Sequence, residues 1–367
     1  MKDKMRAARL HQPGHPLRID AVPVPRIRPH EVLVRVEACG VISNMNAVFS
    51  GQYWYHLPPL PAIVGLDAAG VVEAVGGEVN GFREGERVYV NPLLSCGSCH
   101  PCRSGNPAAC SFSAFSGYFA FSPQAVKLLA ENPGGGFAEY TAASARNLVK
   151  LPPEVSFELG ARWGYLGTSF AALEAGGVRG GSWVLVNGVT GILGVGAVLW
   201  ALGMGASRIL GLARNAAIME RLEALAPKRV RTLALGSRPI GEWARECTDG
   251  TGADMLLDCT GRGSLPATTL DALAGLRPGG IAVNVSALTD PLPINPVKFM
   301  TGQLQYRGSN WFSVAQGQRM AEMARCGAAD LGRIEPRVYP LAEVNEALAE
   351  VKKRPGGFVN IVVAPGR

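Results

Sequence analysis

The chain has 367 residues, 47% of them hydrophobic and 18% charged, with a formal net charge of +7. That length suits two domains with a cleft between them rather than one core, and the composition excludes a disordered or fibrous protein. The modest, scattered positive charge leaves no nucleic-acid footprint, and no apolar run reaches membrane-spanning length. The opening stretch MKDKMRAARL has charge without an apolar region behind it, so no secretory signal or anchor is expected and a cytoplasmic location is.

Up to about Leu151 the sequence is rich in Gly and Pro. Its short alternating segments, EVLVRVEACG (31–40), GVVEAVG (70–76) and ERVYV (86–90), predict a compact β-rich lobe. Within it, CGSCHPCRSGNPAAC brings Cys96, Cys99, Cys102 and Cys110 close together, four of the eight cysteines in the chain. In a reducing compartment such clustering points to metal rather than disulfides. Four thiolates at this spacing wrap one tetrahedral Zn²⁺ and leave no position open for substrate, so one structural zinc per chain is expected. His100 lies inside this loop and reads as an exposed bystander.

From about Ser182, apolar runs alternate with stretches of helical spacing: 183–188, 208–213, 230–235, 254–261, 279–286 and 304–309. Six such runs predict a parallel sheet covered on both faces, a Rossmann-type doubly wound α/β domain. After the first run, VLVNGVTGILG sets Gly188, Gly191 and Gly194 on a strand-to-helix turn, with Ile192 and Leu193 opening the helix. Glycines there admit a pyrophosphate, whose charge the helix N-terminus stabilises. After the second run, GLARNAA places Ala213 where an NAD-preferring domain presents an acid, followed by Arg214. Loss of the carboxylate and gain of a guanidinium favour the 2′-phosphate of NADPH; the competing reading is that Arg214 caps a helix start. The basic group Arg221, Lys228, Arg229 and Arg231 reads as a solvated helix end or as an anion-attracting rim. LQYRGS is a candidate exposed edge that could pair with its twin in a homodimer or homotetramer. FVNIVV (358–363) is a candidate closing strand that rejoins the first lobe.

Taken in order, EACGV, the four-cysteine loop, GGFAEY (135–140), LPPEV (151–155), the glycine turn, LRPGG (276–280) and PLAEVNEALAEV (340–351) resemble the medium-chain dehydrogenase/reductase superfamily. The resemblance is to its zinc alcohol dehydrogenase branch that keeps a structural zinc lobe. It implies a GroES-like catalytic domain over 1–155, with the zinc lobe at about 93–112. It further implies a Rossmann domain over 156–305 and a return segment over 306–367 that completes the catalytic domain.

In zinc-dependent members a catalytic metal is held by a cysteine after the first Gly-Val, by the histidine and sometimes the glutamate of Gly-His-Glu, and by a cysteine or acid ahead of Thr-x-Tyr/Phe. Those positions here are Ile42, Leu66 with Asp67, and Gly164, counted back from Thr168 and Phe170. Only Asp67 carries a donor, so the resemblance implies a structural zinc without a catalytic one. The family's relay hydroxyl is replaced by Asn44 and the acid beside it by Met45.

A nicotinamide still supplies hydride, and without a Lewis acid the substrate must already be electrophilic. The resemblance to zinc-free quinone, enone and enoyl reductases implies NADPH-dependent reduction of an activated double bond in a hydrophobic or aromatic small molecule. Cofactor contacts are expected at Gly188, Gly191, Ile192, Leu193, Gly194, Ala213, Arg214 and Thr168. Ile42, Ser43, Asn44, the aromatic loop 52–60, Leu66, Asp67, Trp163 and Tyr165 are expected to face the cleft. Of these, Asn44, Asp67 and Tyr165 are the candidate catalytic residues. Asn44 would donate its amide to an enolate oxygen or close a local turn; Tyr165, Tyr53 or Tyr55 would donate a proton or serve as a packed ring. Two other functions stay open: an alcohol or ketone dehydrogenase that uses side-chain acids, and a catalytically silent NADPH-binding sensor or structural subunit.

Overall fold

A computed structural model describes residues 3–367. In the first lobe β1 (Lys4–Leu10) pairs antiparallel with β2 (Arg18–Pro23). The long strand β3 (Glu31–Gly40) is buried on both faces along most of its length, as its near-continuous apolar run requires. After the short helix α1 (Met45–Phe49) come β4 (Asp67–Val75), β5 (Arg87–Val90), β6 (Tyr140–Ser144) and β7 (Leu148–Lys150). These five strands from β3 to β7 belong to one sheet of mainly antiparallel pairs.

The chain then enters α2 (Trp163–Ala175), a helix buried over most of its length where the lobes meet. The second domain follows with β8 (Trp183–Asn187), α3 (Ile192–Gly203), β9 (Arg208–Ala213), α4 (Ala216–Leu225), β10 (Val230–Ala234) and α5 (Ile240–Glu246). It continues with β11 (Ala253–Asp258), α6 (Pro266–Leu273), β12 (Leu276–Asn284), α7 (Pro296–Gly302) and β13 (Gln305–Gly308). All neighbours are parallel, in the order β10-β9-β8-β11-β12-β13, so the order reverses at β8, where a doubly wound sheet opens its ligand crevice. Helix α3, ILGVGAVLWALG, is apolar all round and accordingly lies buried against β8 and α2.

The expected domain break at 305/306 falls inside a strand. Gln305–Gly308 pairs with Ile281–Asn284, so the second domain extends to residue 308. Every residue of β13 is exposed, which leaves the sheet edge open. Beyond it α8 (Val314–Arg325) packs on β7 and α2, and β14 (Glu335–Pro340), α9 (Val344–Lys352) and β15 (Val359–Ala364) return to the first lobe. The closing strand pairs antiparallel with β3 through Val362–Gly40 and Val363–Cys39, as FVNIVV suggested. Among the described residues no helix is long and apolar enough to cross a membrane.

Candidate active site

A cleft of about 2200 Å³ runs between the lobes, beneath the carboxyl ends of β8, β9, β11, β12 and β13. Among the described residues its lining includes no Asp, Glu or His, whereas Arg214, Arg262, Arg307, Arg319, Lys352 and Arg354 all reach it. Such a cleft attracts anions.

The glycine turn shapes its floor. Gly188 has φ +85°, a conformation that only glycine adopts without strain. A Cβ on Gly194 would lie 2.4 Å from the Gly188 carbonyl oxygen, so this third glycine serves close helix–strand packing; it does not line the cleft. Gly188, Gly191, Ile192 and Leu193 do line it, and Gly191 caps α3 without a side chain to fill the space before the helix N-terminus. This cradle fits a pyrophosphate. Thr168 also lines the cleft, but its hydroxyl donates to the Gly164 carbonyl oxygen at 2.9 Å.

At the end of β9, Ala213 and Arg214 border the same space. Arg214 is exposed and makes no ion pair among the described residues, while the helix cap belongs to Asn215, whose side chain accepts from the Ile218 N–H. Lys352 and Arg354 approach from the return segment, where the Gly357 N–H donates to the Thr190 carbonyl oxygen at 2.9 Å. The group Arg221, Lys228, Arg229 and Arg231 lies off the cleft. Arg221 pairs with Glu335, Arg229 ties down the carbonyls of Leu202 and Ala206, and Lys228 and Arg231 are exposed, which favours the solvated helix end over the rim.

Four positions expected at the cleft, Ile42, Leu66, Asp67 and Trp163, are buried and off its lining. Asp67 is 1% exposed and absent from the lining, which corrects its assignment as a catalytic residue. Its Oδ1 accepts from the Tyr89 hydroxyl at 2.7 Å, and the Gly164 backbone N–H also donates to the carboxylate. Burial raises its pKa to about 7 against the pull of those two donors. A Cβ on Gly164 would meet Asp67 Oδ1 at 2.1 Å, so Asp67 in this position and any side chain at 164 exclude one another. Leu66 is core, and Trp163 is fully buried with its Nε1 donating to the Gly317 carbonyl oxygen. Ile42 lines only a separate void of about 10 Å³, and Met45 packs in the core where the family's acid would stand.

Asn44 and Tyr165 do face the cleft. Asn44 precedes α1 without a side-chain cap bond, so it closes no local turn. Its Oδ1 instead accepts from the hydroxyl of Tyr118, a fully buried ring, at 2.8 Å. That bond fixes the amide and leaves its NH₂ group to donate. Burial pushes the Tyr165 phenol up to about 12 against the opposing pull of the neighbouring Ser43 hydroxyl. Tyr118 was not recognisable as a site residue, because nothing in FSGYFAF sets it apart from packed aromatic sequence.

Tyr53 and Tyr55 form an aromatic wall: Tyr55 stacks on Phe119 with centroids 3.7 Å apart and planes 4° apart, and Tyr53 stacks on Tyr55. Arg262, from the loop after β11, lies over the Tyr53 ring at 4.7 Å and bridges the lobes. Trp311, from the turn after β13, completes the wall and is held by a bond from its Nε1 to Asn91 Oδ1. His56 is half-buried and its backbone bridges to Ala120.

Away from the cleft, the sulfurs of Cys96, Cys99, Cys102 and Cys110 all lie within 4.8 Å of one another, with close pairs at 3.5 and 3.6 Å. Tetrahedral zinc with bonds of about 2.3 Å separates its sulfurs by about 3.8 Å, so the donors fit. Backbone N–H groups of Cys99 and Phe112 point at Cys96 and Cys110 sulfurs at 3.3 Å, an arrangement that favours thiolates. His100 is exposed and apart from the cluster.

Residues 28–153 match the alcohol dehydrogenase GroES-like domain and residues 193–327 the zinc-binding dehydrogenase domain. An alcohol dehydrogenase of Geobacillus stearothermophilus is 30% identical over 353 residues, covering 95% of this chain and 96% of that protein. A quinone oxidoreductase of Lama guanicoe is 27% identical, covering 98% and 97%. The crystal structure of AibC superposes with a TM-score of 0.85 at 27% identity, covering 99% of this chain and 96% of that one. The chain belongs to the medium-chain dehydrogenase/reductase superfamily, in its zinc alcohol dehydrogenase-like branch, and is an NAD(P)H-dependent oxidoreductase.

Proposed function

We propose that this protein is an NADPH-dependent reductase of an activated carbon–carbon double bond, with a structural zinc and no catalytic one. The observation that carries this reading is the Asp67–Gly164 contact. The carboxylate fills the space a ligand side chain at 164 would need, and Ile42 and Leu66 offer no donor atom. When bound, the reduced nicotinamide supplies hydride, a power that belongs to the cofactor. The chain's own contribution is the Asn44 NH₂, free to donate to an oxygen on which charge develops, and the Tyr165 phenol, which holds a proton at the cleft surface. The aromatic wall of Tyr53, Tyr55 and Trp311 favours a planar apolar substrate. The side-chain-acid route to alcohols finds no carboxylate in the lining.

A panel of enones, quinones, imines and simple alcohols, followed by NADPH absorbance, tests the reading. Deuterium from labelled NADPH is expected at the β carbon of a reduced enone. Label at a carbinol carbon would overturn the proposal, and an absence of turnover across the panel would favour the sensor.

Arg214, with Lys352 and Arg354 nearby on the lining, supports the preference for NADPH. Arg214→Ala is expected to weaken NADPH binding by about 1.5 to 3 kcal/mol, the range for hydrogen bonds to a charged group, and to leave NADH nearly unchanged. Calorimetric titration with both cofactors decides it, and equal losses would remove Arg214 from the 2′-phosphate site.

Purified protein is expected to carry one zinc per chain, retained under a chelator mild enough to spare a four-thiolate site. Atomic absorption that finds two would restore the catalytic metal. We also propose self-association through the exposed β13 edge; a monomer at micromolar concentration in light scattering would rule it out.

A further inference from the structure

Arg162 is 2% exposed and has no carboxylate partner among the described residues. Its guanidinium donates to three carbonyl oxygens: Val359 at 2.9 Å, Ile192 at 3.0 Å and Gly357 at 2.5 Å. Its Nε has no partner among the described residues. Burial brings its pKa down to about 10, so it remains a cation at neutral pH.

The three carbonyls explain why a donor stands there, since they tie the start of α3 to the strap entering β15. They do not explain a charge. A buried cation without a counter-ion carries a desolvation penalty that a neutral donor would avoid. Three residues further along α2, nearly one helical turn, Tyr165 reaches the cleft on one side and, on the other, the small void that Arg162 also lines. Among the described residues, the charge of Tyr165 is what opposes the effect of burial on Arg162. Of the charged and titratable groups whose fields reach the Tyr165 phenol, Asp67 disfavours its ionisation ahead of Tyr53, and Arg162, the cation among them, favours it; Tyr118 interacts with it as well.

We propose that Tyr165 is the proton donor of the reduction and that Arg162 is a positioning residue whose buried charge stabilises the phenolate left behind. This rests on the double-bond reductase reading above. Once hydride has reached the β carbon, the substrate is an enolate. The electron pair at its α carbon takes the Tyr165 proton, closing the C–H bond and leaving tyrosinate opposite Arg162. Solvent returns the proton from the cleft, which both Tyr165 and Ser43 line. Arg162 thus supplies from behind the site the positive charge that the apolar Ile42 and Leu66 cannot recruit as metal.

The test places difluorotyrosine, whose phenol titrates in an accessible range, at position 165 and follows its fluorine resonance against pH without substrate or cofactor. In Arg162→Gln, which keeps a donor for the carbonyls and removes the charge, the midpoint is expected to rise by about one pH unit or more. Arg162→Lys is expected to restore most of it. An unchanged midpoint in folded Arg162→Gln would make the residue a structural tie only; should Arg162→Gln not fold, Arg162→His replaces it, since its imidazole keeps a donor for the carbonyls and loses its charge well below the phenol's range, so the midpoint is expected to rise likewise and an unchanged one again leaves a structural tie. With a substrate identified by the panel, Tyr165→Phe is expected to lower kcat about a hundredfold with little change in KM. Full activity in Tyr165→Phe would overturn the proton donor while leaving the reductase reading intact.

Discussion

Asn44→Ala is expected to lower kcat by about 10²–10³, the loss seen when one oxyanion donor is removed. Tyr118 holds that donor in place. Its buried hydroxyl occupies Asn44 Oδ1 at 2.8 Å, so the amide is held in one orientation and its NH₂ group is directed away from that bond. A donor fixed before the reaction costs nothing to reorganise when charge develops, which is why its removal is felt in kcat rather than in KM. The same variant leaves the Tyr118 hydroxyl buried without an acceptor, a destabilisation of about 1 to 3 kcal/mol. Rates are therefore normalised to folded protein. Tyr118→Phe provides the control: it keeps the amide and releases it from its orientation, so its loss is expected to be smaller than that of Asn44→Ala. Stopped-flow reduction of the substrate found by the panel reads both. A rate in Asn44→Ala within about threefold of wild type, well below the donor range, would remove the amide from the reaction.

The second large effect concerns stability. Asp67 is raised by burial from 3.8 to about 7, although Tyr89 and the Gly164 N–H both favour its charged form. Below pH 3.8 folded and unfolded chains both hold the proton, and the group has no effect on stability. Between 3.8 and about 7 the unfolded chain releases its proton first, so the folded state binds more protons and stability falls as pH rises. Above 7 the penalty is constant at about 4 kcal/mol, from 1.36 kcal/mol per pKa unit. Urea unfolding of wild type and Asp67→Asn across this range isolates it. The variant's altered hydrogen bonds shift its curve at every pH, whereas the ionisation effect appears only as a change between acid and neutral pH. The variant is expected to gain on wild type by a large part of that 4 kcal/mol between pH 4 and pH 8. Parallel profiles would mean that Asp67 ionises in the folded protein as easily as in the unfolded one.

By the resemblance, Asp67 falls at a position the family can use for metal and Asn44 where its relay hydroxyl stands, and their surroundings differ because the packing around them differs. Asn44 sits at the open mouth of α1 and keeps an amide edge toward the cleft. Asp67 begins a strand that β3 and β5 cover on both sides, and the absence of a side chain at Gly164 lets the carboxylate settle beneath α2. Around Leu66 and Asp67 the interior is packed and hydrogen-bonded.

Local pattern by itself determined a good deal of this protein. The six strands of the second domain, the turn at Gly188 and Gly191, the four-cysteine cluster and the closing strand all rest on spacing within a few residues, and the structure places them where that spacing requires. The tertiary structure alone decided which polar groups meet. Tyr118 lies 74 residues from Asn44, and Arg162 lies 197 residues from the Val359 carbonyl it binds. Trp163 and Tyr165 are two residues apart on one helix, yet one ring is sealed in the core and the other opens on the cleft, because residues two apart on a helix point to different faces. Sequence spacing reports which face a residue takes relative to its near neighbours. Whether that face meets solvent, a carbonyl or a carboxylate depends on chain segments that only folding brings together.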